Sequence, residues 1–282
     1  MTLQKFLTVI DHNRDVSGMK YVYPVVSRRA GGVSIGINLN TNNACNWRCI
    51  YCSVPDLTRG TPPQIELDVL EQELRTFLTD VIHGDFMVRH VAEADRHLKD
   101  IAFSGNGEPT SAKEFPQVIL LVEKILSDFN LIDKLKLRLI TNGSLMDKPT
   151  VLEAIGQLAK CNGEVWFKLD AGSKEAIARI NDVNLNPQSH IERLKNCANV
   201  CPTFIQTCMF ALDGLPPQEQ DILDYLTLIS QVREVILGVH LYGLARPSYQ
   251  AEAVRLSRLS PEWLEAMAER IRQLGLTVHV NP

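Results

Sequence analysis

Cys45, Cys49 and Cys52 fall within eight residues, in the stretch ACNWRCIYCSVP (44–55). Thiols this close ask for a shared partner. A disulfide takes two sulfurs, and a structural zinc site takes four ligands. No fourth Cys or His lies nearby; His12 and His83 sit in other segments. Thiolates also hold iron–sulfur clusters, and a four-iron cluster takes one protein ligand per iron. Three cysteines then occupy three irons and leave the fourth open to a small molecule. Zinc with a distant fourth ligand, and a chance grouping of buried thiols, stay open at this point. The chain has seven cysteines, an odd count that argues against a disulfide framework.

Other polar groups recur at regular places. SGNGEPT (104–110) lacks the Lys-Ser/Thr of a phosphate loop and the third glycine of a dinucleotide fingerprint. Gly105 and Gly107 let the backbone come close to a ligand. Glu108 precedes Pro109, which biases it toward an extended conformation. A carboxylate there suits a cationic amine, although a plain tight turn also accounts for the stretch. TNGS (141–144) is a common turn that presents Asn142, and KLDAG (168–172) presents Lys168 and Asp170. Those two charges share a strand face with Trp166, which is costly unless they are paired or bind a ligand. Gln206, Cys208, His240 and Tyr242 alternate with apolar neighbours, and Arg246 follows in GLARPS. If the polar faces point inward they line a cavity with Arg246 at its mouth; each could equally be a satisfied buried polar residue. Cys161, Cys197, Cys201 and Cys208 read as small core residues, since free cysteine is often buried.

These groups need elements to carry them. Strand-like runs at 33–40, 100–104, 136–141, 165–170, 204–211 and 234–242 alternate with helical patterns at 66–82, 112–129, 148–160, 188–199 and 216–231. A helix at 260–274 with Ser260 as N-cap and Pro261 at its first position precedes a short run at 276–280. The first crossover, 53–99, is long enough for two helices. Strand–helix alternation predicts a parallel sheet with crossovers of one hand. Six units are too few for an eight-fold barrel, so a partial barrel or a doubly wound sheet is expected. In both, chemistry gathers at the carboxyl ends of the strands. The cysteines, SGNGEPT, TNGS, Lys168 with Asp170, and His240 and Tyr242 with Arg246 all fall there.

The bulk properties fit this reading. The chain has 282 residues, 45% apolar and 22% charged, enough to bury a sizeable core. Net charge is −4, so no global positive field draws nucleic acid or anionic lipid, and an unaided RNA binder is disfavoured. No run of about 18 apolar residues predicts a membrane span, and MTLQKFLTVIDHNRD does not read as a signal peptide. A cytoplasmic protein with reduced thiols is expected. One domain over 1–282 is expected, with an N-terminal extension (1–32), a barrel (33–247), and a C-terminal helix and strand (248–282).

The C-x3-C-x2-C spacing, with Tyr51 before the last cysteine, resembles the radical S-adenosylmethionine (SAM) superfamily. The resemblance implies an α/β fold, a partial (β/α)6 TIM-like barrel. It implies a [4Fe–4S] cluster on Cys45, Cys49 and Cys52, with SAM chelating the open iron through its amino and carboxylate groups. It implies reductive cleavage to a 5′-deoxyadenosyl radical, fed by a low-potential donor such as flavodoxin or ferredoxin. SGNGEPT resembles the family's Gly-Gly-Glu segment, with Asn106 in place of the second glycine. Gly105, Asn106, Gly107 and Glu108 are thereby SAM-binding candidates, joined by Tyr51, Asn142, Lys168 and Asp170. YVYPVVSRRAGGVSIGINL (21–39) resembles the start of a little-characterised branch of these proteins, and SGNGEPT, TNGSL and the Arg-Pro at 246–247 match the rest of its pattern. That branch is distantly related to the enzymes of wybutosine synthesis in tRNA. The resemblance spans about residues 21–247 and leaves the substrate open among a small molecule, a peptide and RNA. Ser27, Arg28 and Arg29 offer contacts to an anionic substrate, or order the loop through the backbone. Transfer of a different SAM fragment and a non-enzymatic metal-binding module are the rival readings.

Overall fold

The computed structural model describes residues 7, 18–27 and 31–282. Arg28 and Arg29 lie outside them, as does the side chain of Ser27. One eight-stranded sheet dominates. Its strands are β1 (Val22–Ser27), β2 (Gly32–Ile37), β3 (Leu98–Phe103), β4 (Lys136–Thr141), β5 (Gly163–Lys168), β6 (Thr203–Cys208), β7 (Gly238–Tyr242) and β8 (Val278–Asn281). They lie side by side in chain order. β1 pairs antiparallel with β2, and every later pair is parallel. A doubly wound sheet reverses its order at a switch point; this sheet never does, so the barrel reading holds.

The helices are α1 (Leu67–His83), α2 (Phe86–His90), α3 (Phe115–Asp128), α4 (Pro149–Lys160), α5 (Lys174–Asn181), α6 (Pro187–Ala198), α7 (Glu219–Ser230) and α8 (Pro261–Arg272). The first crossover holds two helices, as its length predicts. Ser260 caps α8, its Oγ accepting from Trp263 N. Two elements have no counterpart in the periodicity. β1 lies within the segment expected to be an extension. The eight-residue α5 fills the gap between the strand at 165 and the helix at 188. Ser173 caps α5 and the left-handed Asp182 ends it.

Pleating sorts the side chains. Ile35, Ile37, Ile101, Phe103, Leu137, Leu139, Val165, Phe167, Ile205, Val239 and Leu241 are fully buried and belong to one apolar cluster with residues of the helices. On the alternate positions stand Ser34, Gly36, Asp100, Ala102, Arg138, Ile140, Trp166, Lys168, Gln206, Cys208, His240 and Tyr242. The outer face supplies the hydrophobic stability, which leaves the inner face for polar groups. β1 lays Tyr23 opposite Gly36, where a Cβ would overlap the tyrosine ring.

Candidate functional site

Two cavities occupy the inner face, toward the carboxyl ends of the strands. The smaller, about 180 Å³, is lined by Cys45, Cys49, Tyr51, Cys52, the loop Gly105–Glu108, Asn142 and Lys168 among others. The larger, about 300 Å³, runs past Arg138, Trp166, Gln206, Cys208, Tyr242 and Arg246. Tyr51, Cys52, Val54, Ser104, Gly105 and Ile140 line both. Every residue expected to bind metal or cofactor therefore borders one space or contacts a group that does. Asp170 is in the second position, held by the hydroxyl of Tyr51.

The cysteine loop has little regular structure, so other segments must fix it. Arg48 N donates to Asn181 O (3.2 Å) and Ile50 N to Ile180 O (2.9 Å). Arg48 Nε donates to Asp182 Oδ2 (2.8 Å), and its two terminal nitrogens grip Glu252 at 3.0 and 2.8 Å. On the other flank, Ser248 Oγ donates to Ile50 O (2.7 Å), Tyr249 N to Cys52 O (3.0 Å), and Gln250 Nε2 to Val54 O (3.1 Å). The end of α5 and the segment 248–252 thus form a frame that sequence reading missed.

Burial pushes the thiol of Cys45 up to about 11 and that of Cys49 up to about 12. Thiols there stay protonated unless a cation compensates them, and a bound metal does so by deprotonating its sulfur ligand outright. Among the described residues, no group of three or more His, Cys, Asp or Glu is gathered as a single metal ion requires. A four-iron cluster does not require such a group, because each thiolate takes a separate iron. The donor set, three thiols facing a common cavity, fits that cluster.

Glu108 is buried and accepts four hydrogen bonds: from Thr110 N (3.1 Å), Thr110 Oγ1 (2.6 Å), Thr141 Oγ1 (2.7 Å) and Asn142 N (2.6 Å). Burial raises its pKa, and these bonds oppose the rise. It ties the loop after β3 to the end of β4. A Cβ on Gly105 would overlap Asn38, and one on Gly107 would overlap Asn40 and the Ala44 carbonyl. The close approach that calls for glycine here is to the protein itself. Asn106 Nδ2 donates to Asn43. Asn142 Nδ2 donates to Asn46 Oδ1 (2.7 Å), joining β4 to the cysteine loop.

Lys168 and Asp170 meet through a third residue. Lys168 Nζ donates to Tyr51 Oη (2.6 Å), which donates to Asp170 Oδ2 (2.6 Å). Asp170 also accepts from Asn181 Nδ2 (2.7 Å) and Cys208 N (2.9 Å). Burial disfavours charge on Lys168, but Tyr242 and Asp170 outweigh it and hold its pKa well above the usual value. For Tyr51, by contrast, burial itself raises the pKa, and Asp170 adds to the rise. Of the strand residues expected to line a cavity, Gln206, Cys208, Tyr242 and Arg246 do. His240 instead stacks among Trp166, Phe204 and His279, with ring centroids 4.5, 4.6 and 5.1 Å away. Cys161, Cys197 and Cys201 are core residues as expected; Cys208 is one too, packed with Ile50 and Phe210, and also lines the larger cavity.

The family model of the Radical SAM superfamily matches residues 39–226. A GTPase Obg of Brachyspira hyodysenteriae is 29% identical over 217 residues, which cover 74% of this chain and 28% of that protein. A UPF0026 protein of Helicobacter pylori is 28% identical over 163 residues, 56% of this chain and 44% of its own. The chain thus spans less than half the length of these relatives. Among solved structures, Streptococcus suis SuiB bound to S-adenosylmethionine matches with a TM-score of 0.54 and 13% identity, over 89% of this chain and 47% of that one. The protein anSMEcpe with bound AdoMet matches with 0.55 and 19%, over 87% and 63%. At such identities these two show the fold alone. With two-thirds of its length matched by the family model, the chain belongs to the radical SAM superfamily, whose members are enzymes.

Proposed function

We propose that Cys45, Cys49 and Cys52 hold a [4Fe–4S] cluster. We propose further that S-adenosylmethionine binds in the same cavity, against Gly105, Asn106, Gly107 and Glu108 and beside Tyr51, Asn142, Lys168 and Asp170. The carrying observation is that the three cysteines and the Gly105–Glu108 loop line one cavity that continues into a second. When bound and reduced, such a cluster supplies the electron that cleaves SAM to methionine and a 5′-deoxyadenosyl radical. The protein's part is to orient and to exclude water. Glu108 fixes the loop against Asn142, and Tyr51 holds Lys168 and Asp170 in place. Lys168 offers a buried cation to the carboxylate of the cofactor. The larger cavity then receives the substrate whose hydrogen is abstracted. A low-potential reductant, a flavodoxin or ferredoxin, completes the cycle.

The test is anaerobic. The protein is reconstituted with iron and sulfide, reduced and given SAM, and the adenosyl product is identified by mass spectrometry, with Cys49→Ala as control. We expect 5′-deoxyadenosine from the wild type only. Methylthioadenosine would indicate transfer of a different SAM fragment. Bound zinc, or no labile sulfide, would overturn the reading.

A further inference from the structure

Asn181 is 1% exposed and stands behind the cysteine loop at the last position of α5. Its carboxamide nitrogen has two hydrogens, and both have acceptors. Nδ2 lies 2.7 Å from Asp170 Oδ2 and 3.3 Å from Cys49 Sγ. The carboxylate fixes the amide's orientation, because only the NH2 end can face it. The second N–H is thereby directed at the sulfur.

The main chain holds that arrangement on both sides. Ile180 O and Asn181 O accept from Ile50 N and Arg48 N, which flank Cys49. The Cys49 sulfur therefore receives a donor from a residue far away in sequence, locked to the loop it serves. Asp170 in turn is joined through Tyr51 to Lys168.

A hydrogen bond to a cluster-ligating sulfur stabilises the more electron-rich, reduced state and raises the reduction potential. Resting on the cluster assignment above, we propose that Asn181 is a positioning residue that raises the potential of the cluster at its Cys49 corner. It also links that corner to the Asp170–Tyr51–Lys168 chain in the cavity. A neutral donor at one ligand sulfur thereby favours the reduced cluster, with no added charge in a buried site.

The experiment compares wild type, Asn181→Leu and Asn181→Asp, each reconstituted anaerobically. Iron and sulfide per chain are measured, and the midpoint is read by a dye-mediated redox titration followed by EPR. Leucine keeps the volume and removes the donor. Aspartate keeps the shape, and its one possible proton goes to Asp170 in preference to sulfur. We expect both variants to load a cluster and both midpoints to shift to more negative potential. A loaded variant with an unchanged or more positive midpoint overturns the proposal. So does failure of both variants to fold or load, since Asn181 would then serve assembly and not potential. A wild-type protein that binds no iron and sulfide would instead fail the cluster assignment itself.

Discussion

Two polar networks lie on the inner face of the barrel, and they are built differently. The lower one joins neighbouring strands. Ser34 donates to Asp100, Arg138 pairs with Asp100 and with Glu164 (2.7 Å), and Trp166 Nε1 donates to Glu164 (3.0 Å). The guanidinium also lies over the Trp166 ring, 5.0 Å from its centre. Opposite charges touch directly and all of them come from the sheet. In the upper network, the charges of Lys168 and Asp170 are separated by a tyrosine hydroxyl, and the chain runs on through Asn181 to a cysteine sulfur. Four of its members, Tyr51, Asp170, Asn181 and Cys49, come from loops and the end of a helix. A network closed within the sheet braces the strands, even as Ser34, Asp100, Arg138 and Trp166 line the larger cavity. One that relays through neutral groups to a thiol leaves its charges room to answer a ligand.

The sharpest way to break this contrast is to open the lower network. Arg138→Met removes the one cation between two carboxylates, and Asp100 is only 2% exposed. Leaving buried charge without its partner typically costs about 3–5 kcal/mol. Denaturant unfolding of the reconstituted protein should show that loss, while the iron and sulfide bound per folded chain stay at the wild-type level. Loss of cluster from folded protein would mean that the two networks act as one.

Sequence resolved the first network poorly and the second only in part, for a common reason. Strand alternation marks which face a residue is on but not its partner across the sheet. Asp100, Arg138 and Glu164 are far apart in sequence and become neighbours only through register. The cysteines and the glycine loop were legible because their spacing is local and their chemistry is narrow. Lys168 and Asp170 were legible as unusual charges on a strand, but Tyr51 as the group between them was not. Asn181 and Asp182 were invisible, since α5 is too short for a strong periodic signal. β1 was missed because VYPVVS contains a proline, and Pro demotes a run from a strand assignment.

His190 offers a second test, through acid. It is buried beneath the upper network, between Trp47 and Phe167, with Nε2 3.0 Å from Lys168 O. A carbonyl only accepts, so Nε2 carries the proton of a neutral ring. Burial pushes its pKa down from 6.5 to about 4. The unfolded chain therefore binds a proton that the folded one refuses, and stability falls as pH drops from about 6.5 toward 4. The full effect is on the order of 3 kcal/mol, from the size of the shift. Unfolding free energies measured across that window should decline, and His190→Leu should flatten the decline. An equal slope in the variant would assign it to other groups.

Tyr51→Phe sharpens the comparison from the other side. It deletes the hydroxyl that links Lys168 to Asp170. Asp170 keeps Asn181 and the Cys208 amide, and Lys168 keeps Tyr242 at 3.5 Å. The cost should be about 1–3 kcal/mol, the range for a buried polar group deprived of one partner. It should thus fall below the cost of Arg138→Met. Urea midpoints of the two variants, measured together, rank the networks; a larger loss for Tyr51→Phe would reverse the assignment of scaffold and site.

The smallest effect in stability should come from the frame. Arg48 reaches Glu252 with both terminal nitrogens, but the side chains are 30% and 21% exposed, and ion pairs open to solvent contribute less than about 1 kcal/mol. Glu252→Gln should therefore barely move the unfolding midpoint. Its consequence should be local, because Arg48 is anchored on the cysteine loop and Glu252 outside it. Weakening that grip by 0.5–1 kcal/mol makes loop opening about two- to fivefold more frequent without unfolding the barrel. Release of iron to a chelator from the reconstituted variant should quicken by that factor. An unchanged rate would mean that the main-chain bonds from Ile180 and Asn181 suffice to hold the loop, and that the charged clamp adds nothing to cluster lifetime.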